Sequence, residues 1–164
     1  MRYCKIRKMD ISNGPGVRIS VFFQGCDFHC KNCFNPETWS FEGGFEFGDE
    51  QINSIIQLAK EDYITGLSVL GEEPMHPNNI ENTTKLVKAF RKMYPNKTIW
   101  VWSGYLFDKD LIDKEVINYI DVLVDGQFID DLRNPNLAWR GSSNQRVIDV
   151  KNSLKSGEIV IYCK

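Results

Sequence analysis

Apolar residues recur along this chain with two periods, two in some stretches and 3.6 in others, and the switches between them mark out the elements. Arg18 to Gln24, RISVFFQ, is a β-branched and aromatic run that predicts a strand, entered through the turn Asn13-Gly14-Pro15-Gly16. A glycine-rich stretch leads to a helix over about Asp49 to Glu61, where Ile52, Ile55, Ile56 and Ala59 keep the spacing of one buried face. Leu67 to Leu70 predicts a buried strand closed by Gly71-Glu72-Glu73-Pro74. A second helix covers Ile80 to Tyr94, with Leu86, Val87, Phe90 and Met93 inward, and Pro95 ends it. The strand Thr98 to Trp102 stops at Ser103-Gly104, a third helix spans about Asp108 to Tyr119, and the strand Val122 to Val124 runs into Asp125-Gly126.

Strands alternating with helices predict an α/β fold with mostly parallel strands and helical crossovers, in one domain over residues 1–164. The tail reads differently. Gln145 to Val150 and Glu158 to Tyr162 are strand-like and joined around Ser156-Gly157, which predicts a C-terminal β-hairpin. The polar and glycine signals fall just after the strands, where parallel α/β sheets and barrels bind their ligands. Each alone is an ordinary turn. Together in one sheet they predict a pocket.

Composition narrows the classes. The 164 residues are 42% hydrophobic and 26% charged, enough for a real core, and a net charge of −2 gives no footprint for nucleic acid or an anionic membrane. No apolar run reaches the ~18 residues of a membrane span, and MRYCKIRKMD lacks the apolar stretch of a secretory signal. Five cysteines, three of them clustered, read poorly as a disulfide framework and point to a reducing cytoplasm. Cys4 and Cys163, near opposite ends, read as free buried thiols.

The cluster is Cys26, Cys30 and Cys33, in the loop beyond the first predicted strand. Closed zinc and iron–sulfur sites normally take four protein ligands, so three leave a position for a distant ligand or for chemistry. Zinc could recruit His29 or His76. A thioredoxin-like dithiol at Cys30 and Cys33 leaves Cys26 unexplained. A cubane cluster with one open iron uses all three. Spacing alone leaves these alternatives open.

The flanks carry a resemblance. Asn13-Gly14-Pro15-Gly16-Val17-Arg18, the strand ending in Phe23-Gln24-Gly25, and Cys26-Asp27-Phe28-His29-Cys30-Lys31-Asn32-Cys33-Phe34-Asn35-Pro36 resemble the start of the radical S-adenosylmethionine superfamily, specifically the activating enzymes of glycyl-radical enzymes. The likeness continues through Thr38-Trp39, Gly71 to Pro74, Ser103-Gly104-Tyr105 and Asp125-Gly126. Trp139-Arg140-Gly141-Ser142-Ser143-Asn144-Gln145-Arg146 is similar to a string in the small activating proteins of anaerobic (class III) ribonucleoside-triphosphate reductase.

The resemblance implies that Cys26, Cys30 and Cys33 hold a [4Fe-4S] cluster whose open iron chelates S-adenosyl-L-methionine. Reductive cleavage of that cofactor would give a 5′-deoxyadenosyl radical, which takes hydrogen from a glycine Cα of the reductase. Its partners would be the reductase and an electron donor such as flavodoxin or another low-potential reductant. Gly71, Glu72 and Glu73 stand where the family has Gly-Gly-acid, with Glu73 in the acidic position that meets the methionine amino group. Ser103 and Asp125 stand at later strand ends that line the cofactor pocket in the family, and Asn32 and Gln127 are counted with them.

Three positions depart from the family pattern. Glu72 replaces a glycine, so a positive φ there would be strained. Gln127 lacks the positive charge of a frequent lysine, and Asn32 lacks an aromatic ring common in the superfamily. Other readings are activation of a different glycyl-radical enzyme such as pyruvate formate-lyase, a zinc-stabilised interaction module, and an electron carrier whose cluster also uses Cys4 or Cys163. The Trp139 to Arg146 string argues against the first. Four crossover strands cannot close a barrel, so the expected architecture is an incomplete (β/α) barrel whose open side admits the glycine loop.

Overall fold

A computed structural model describes residues 1–163. Its strands are β1 (Arg2–Asp10), β2 (Val17–Phe23), β3 (Phe45–Glu46), β4 (Ile64–Gly71), β5 (Thr98–Trp102), β6 (Val122–Asp125) and β7 (Arg146–Asp149). The helices are α1 (Asp49–Leu58), α2 (Ile80–Met93) and α3 (Val150–Ser156). All seven strands join one sheet in the order β3-β1-β2-β4-β5-β6-β7. Its middle, β2-β4-β5-β6, is parallel, as the strand–helix alternation predicts. Both flanks are antiparallel.

The pleat sends alternate residues to opposite faces. Ile19, Val21 and Phe23 of β2, Leu67 and Val69 of β4, and Ile99 and Val101 of β5 pack with Ile55 of α1 and Leu86, Val87 and Phe90 of α2 into the main core. The opposite face carries Trp100, Val122, Val124 and Val147, joined by Trp102 and Trp139. Arg18 lies on that face, fully buried beside the Trp100 ring. Its N–H groups go to Ser68 Oγ, Thr98 Oγ1 and the carbonyls of Leu67 and Thr98, with a further bond to Pro15 O. Burial lowers its pKa to about 10. In the Asn13-Gly14-Pro15-Gly16-Val17-Arg18 string, the arginine therefore ties the entry turn to the sheet.

Four expectations change. Strand β1 is absent from the sequence reading because Arg2–Asp10 is charge-rich and, but for Asp10, half-exposed or exposed, without a clean apolar alternation. The predicted third helix is two short pieces, a π-helical turn Phe107–Leu111 and a 3-10 turn Glu115–Tyr119, separated by Lys114 in extended conformation. Carboxylates cap the start of the first turn, with Leu106 N donating to Asp110 and Phe107 N to Asp125. Met93 is 56% exposed rather than inward.

The C-terminal hairpin is replaced by α3. Asp149 caps it by accepting from Asn152 N, and Gly157, at φ +75, ends it. The Ser156-Gly157 signal is thus a helix C-terminus, and the returning segment meets β7 through a single bridge, Ile148 to Ile161. Pairing around the sheet is that of an open sheet with edges at β3 and β7.

Gly71, the last residue of β4, has φ +111, and a Cβ there would run into the backbone of Phe22 and Phe23. Gly71→Ala is expected to lower the unfolding free energy by about 2–4 kcal/mol, from left-handed strain and overpacking together. Denaturant titration checks this.

Candidate functional site

Two residues beyond β2, Gly25 has a φ of +96 that turns the chain into the cysteine loop. Backbone bonds from Gly25 N and Cys26 N to Thr38 O and Trp39 O pin the loop's first residues. Cys33 N donates to Cys30 O, closing a tight turn, and His29 and Asn32 adopt φ of 45 and 55 so that the loop curls back. Cys26 is buried, which pushes its thiol up to about 12, while Cys30 and Cys33 are half-exposed.

All three cysteines line one cavity of about 570 Å³ at the strands' C-terminal ends. Asn32, Gly71, Glu72, Glu73, Ser103 and Gln127 line it too. The sequence expectation of convergence from β2, β4, β5 and β6 is met by these residues.

Glu73 is the electrostatic centre of the wall. It is 1% exposed. Its Oε1 accepts from Ser103 Oγ (2.7 Å) and Met75 N (2.9 Å), and its Oε2 accepts from Gly104 N (2.7 Å). Burial pushes its carboxyl up to about 7, and these three bonds hold it from rising further. The Ser103 hydroxyl donates to Glu73 and accepts from Tyr105 N, so it fixes the carboxylate's orientation.

Glu72 carries no backbone strain, because the left-handed residue is Gly71 and not Glu72. Its carboxylate accepts the Thr38 hydroxyl, and burial, with Glu37 nearby, raises its pKa. Glu72→Gly is therefore expected to change cofactor affinity by less than about tenfold (~1.4 kcal/mol). Equilibrium binding to the reconstituted protein checks this, and a larger loss would give Glu72 a specific contact.

Asp125 departs from its expected place. It is fully buried and is not among the cavity's lining residues. Its carboxylate is held side-on by Arg146, Nε to Oδ1 at 2.9 Å and Nη2 to Oδ2 at 2.5 Å, and it also accepts from Phe107 N. Three bonds from within the chain therefore satisfy most of this buried carboxylate. It positions β7 and the 107–111 turn, in place of the cofactor contact expected from sequence.

Asn32 donates to Asp130 Oδ2, and Gln127 Nε2 reaches Phe28 O at 3.4 Å, so both tie the cysteine loop to the segment after β6. His29 stacks against Trp39. His76 Nδ1 accepts from Asn78 N, which leaves the ring proton on Nε2 for Asp27 at 2.9 Å. Both of its nitrogens are engaged. Cys4 and Cys163 lie outside the cavity lining.

The donor set suits a cubane better than a single ion. One zinc needs all its sulfurs at ~2.3 Å from one point. Among the described residues no group of three or more His, Cys, Asp or Glu is so arranged. A [4Fe-4S] cluster places each thiolate on a different iron. Three thiols on one curled loop, with a cavity beside them, fit that requirement.

The sequence reading named the Trp139 to Arg146 string as a marker without a role. Trp139, Arg140, Gly141 and Gln145 line the cavity, together with Trp102, Leu70 and Phe28. Trp139, at φ +57, is held by Trp102 Nε1 donating to its carbonyl and by edge-on packing against Trp100. The tryptophans' alternation along β5 was the available signal.

A mostly parallel α/β sheet with three clustered thiols at its strand ends, opening on a cavity, defines a cluster-binding α/β protein. Residues 12–148 match the family model of the 4Fe-4S single cluster domain. Over 150 residues the chain is 42% identical to the anaerobic ribonucleoside-triphosphate reductase-activating protein of Salmonella typhi, covering 90% of this chain and 97% of that one. It is 41% identical over the same length and coverage to that of Escherichia coli (strain K12). The protein of the same name from Enterobacteria phage T4 is 37% identical over 147 residues, covering 90% and 93%. The chain belongs to the family of anaerobic ribonucleoside-triphosphate reductase-activating proteins.

Proposed function

We propose that this protein activates anaerobic ribonucleoside-triphosphate reductase, holding a [4Fe-4S] cluster on Cys26, Cys30 and Cys33 and S-adenosylmethionine in the adjoining cavity. The observation that carries the reading is the sharing of one cavity by the three thiols and the buried Glu73. When bound, cluster and cofactor supply one-electron cleavage of a sulfonium bond and a carbon radical able to take hydrogen from a glycine Cα.

The chain's own residues do the rest. Glu73, oriented by Ser103 and Gly104, offers a desolvated carboxylate to an ammonium group, where a charge-assisted bond is strongest. Leu70, Trp102 and Trp139 give the cavity an apolar wall that limits water around a reactive intermediate. The Asn32–Asp130 and Gln127–Phe28 bonds hold the cysteine loop against the far side of the mouth. An incomplete barrel, curved about this cavity and open at one side, would admit the reductase's glycine segment. Glycine suits that role because no side chain obstructs close approach. An external low-potential donor, flavodoxin being one example, would supply the electron. No helix among the described residues is long and apolar enough to cross a membrane.

Anaerobic reconstitution with iron and sulfide, followed by reduction with S-adenosylmethionine present, tests the reading. Release of 5′-deoxyadenosine and a glycyl-radical EPR signal on the reductase are expected. A reconstituted protein with a full cluster and neither product would overturn it.

A further inference from the structure

Arg7 and Arg133 are exposed, and among the five other arginines side-chain placement follows a rule with one exception. Arg2, Arg18, Arg91 and Arg146 each spend the side-on edge of the guanidinium, Nε together with Nη2, on acceptors within the chain. Arg146 shows what that edge is built for, since it grips both oxygens of Asp125. Arg140 lines the cavity and is only partly buried, yet its Nε is buried without a hydrogen-bond partner among the described residues. Only Nη1 is engaged, donating to Gln145 O at 3.0 Å. The bidentate edge stays open.

Local structure holds this group in place. Gln145 Oε1 accepts from Gly141 N and Ser142 N, and its Nε2 donates to Gly126 O, so the loop carrying Arg140 is stapled to the end of β6. Trp139, the preceding residue, is anchored by its carbonyl and its ring. A fixed cation with an unpaired, buried N–H is costly for the free protein, which marks it as a group awaiting a partner. The cavity is also polarised. Glu72 and Glu73 lie on the β4 wall, while Arg140 and the exposed Arg133 lie on the wall from the segment after β6.

We propose that Arg140 is the cavity's carboxylate receptor, binding two carboxylate oxygens through Nε and Nη2 as Arg146 binds Asp125. Planar, bidentate recognition of a carboxylate is the geometry a guanidinium edge supplies and an ammonium does not. The carboxylate has two possible sources, the amino-acid end of S-adenosylmethionine or an acidic group of the reductase. The first rests on the function proposed above, with Glu73 facing the ammonium and Arg140 the carboxylate of one zwitterion.

The test uses the reconstituted protein and its Arg140→Gln and Arg140→Lys variants, with iron and sulfide content and melting temperature matched to wild type. Dissociation constants are measured for S-adenosylmethionine, for 5′-methylthioadenosine, which lacks the amino-acid end, and for the reductase alone at two salt concentrations. Arg140→Gln is expected to weaken S-adenosylmethionine binding about tenfold, to leave 5′-methylthioadenosine unchanged, and to be only partly rescued by Arg140→Lys. Unchanged cofactor affinity with about tenfold weaker, less salt-dependent reductase binding assigns the carboxylate to the reductase instead. Unchanged values in both arms overturn the proposal. Wild-type protein that binds no S-adenosylmethionine overturns the cofactor reading itself, and the reductase arm then judges Arg140 alone.

Discussion

Cys30→Ala is expected to abolish 5′-deoxyadenosine release and to lower bound iron and sulfide after reconstitution, with the fold intact. Cys30 is half-exposed in a loop, and the bond its backbone makes, accepting from Cys33 N, does not involve the thiol. The apo variant's unfolding free energy should therefore lie within about 0.5 kcal/mol of wild type. Cys33→Ala should behave in the same way. Cys26 is different, because its buried side chain also packs, so Cys26→Ala adds roughly 1 kcal/mol of lost packing. Comparing circular dichroism with iron content separates loss of ligand from loss of fold. A Cys30→Ala protein that still releases 5′-deoxyadenosine would remove the cluster assignment.

Glu73→Gln is the second large effect. It keeps the side chain's shape and deletes the charge that the proposed site offers to an ammonium, so S-adenosylmethionine affinity is expected to fall roughly 10- to 100-fold. The wild-type protein carries a matching pH signature. With Glu73 at about 7, the carboxylate is mostly protonated at pH 6, so affinity weakens as pH falls below about 7 and is steady above it. Binding at pH 6 releases a proton, which calorimetry in buffers of different ionisation heat detects. In Glu73→Gln this component of the pH profile is flat.

Stability responds with the opposite sign. Burial raises Glu73 from its ordinary 4.5 to about 7, so the folded state holds the proton more tightly than the unfolded chain does. Glu73's contribution is most favourable at low pH and declines as pH rises from 4.5 through about 7. An affinity that improves with pH while this contribution to stability declines identifies a buried carboxylate held for a ligand rather than for the fold. Wild-type affinity independent of pH between 6 and 8 would contradict the assignment.

The parallel middle of the sheet and the helices α1 and α2 were legible because their apolar spacing is set by local geometry, two residues per pleat or 3.6 per turn. Strand β1 was not legible, since a charged, half-exposed strand is held by pairing with β2 rather than by its own pattern. The C-terminal segment misled for a related reason. Ser156-Gly157 reads as the connection of a hairpin between Gln145–Val150 and Glu158–Tyr162, and the Asp149 cap and Gly157 end make Val150–Ser156 a helix instead. Glu72 looked strained in sequence because one glycine was missing, yet the backbone needs its left-handed residue one position earlier, at Gly71.

The sequence by itself determined the chemistry available: three thiols spaced to share a loop, and polar turns after successive strands. Those signals are local, fixed by covalent spacing and by backbone preferences within a few residues. Only the tertiary structure decided which carboxylate faces the cavity. Glu73 and Asp125 both follow strands and look equivalent in sequence, but Ser103 and Gly104 orient the first toward the cavity wall while Arg146 takes both oxygens of the second. Glu73 meets Ser103 across 30 positions and Asp125 meets Arg146 across 21. A hydrogen bond is won by the group within about 3 Å in space. Packing sets that distance, and no local pattern encodes it.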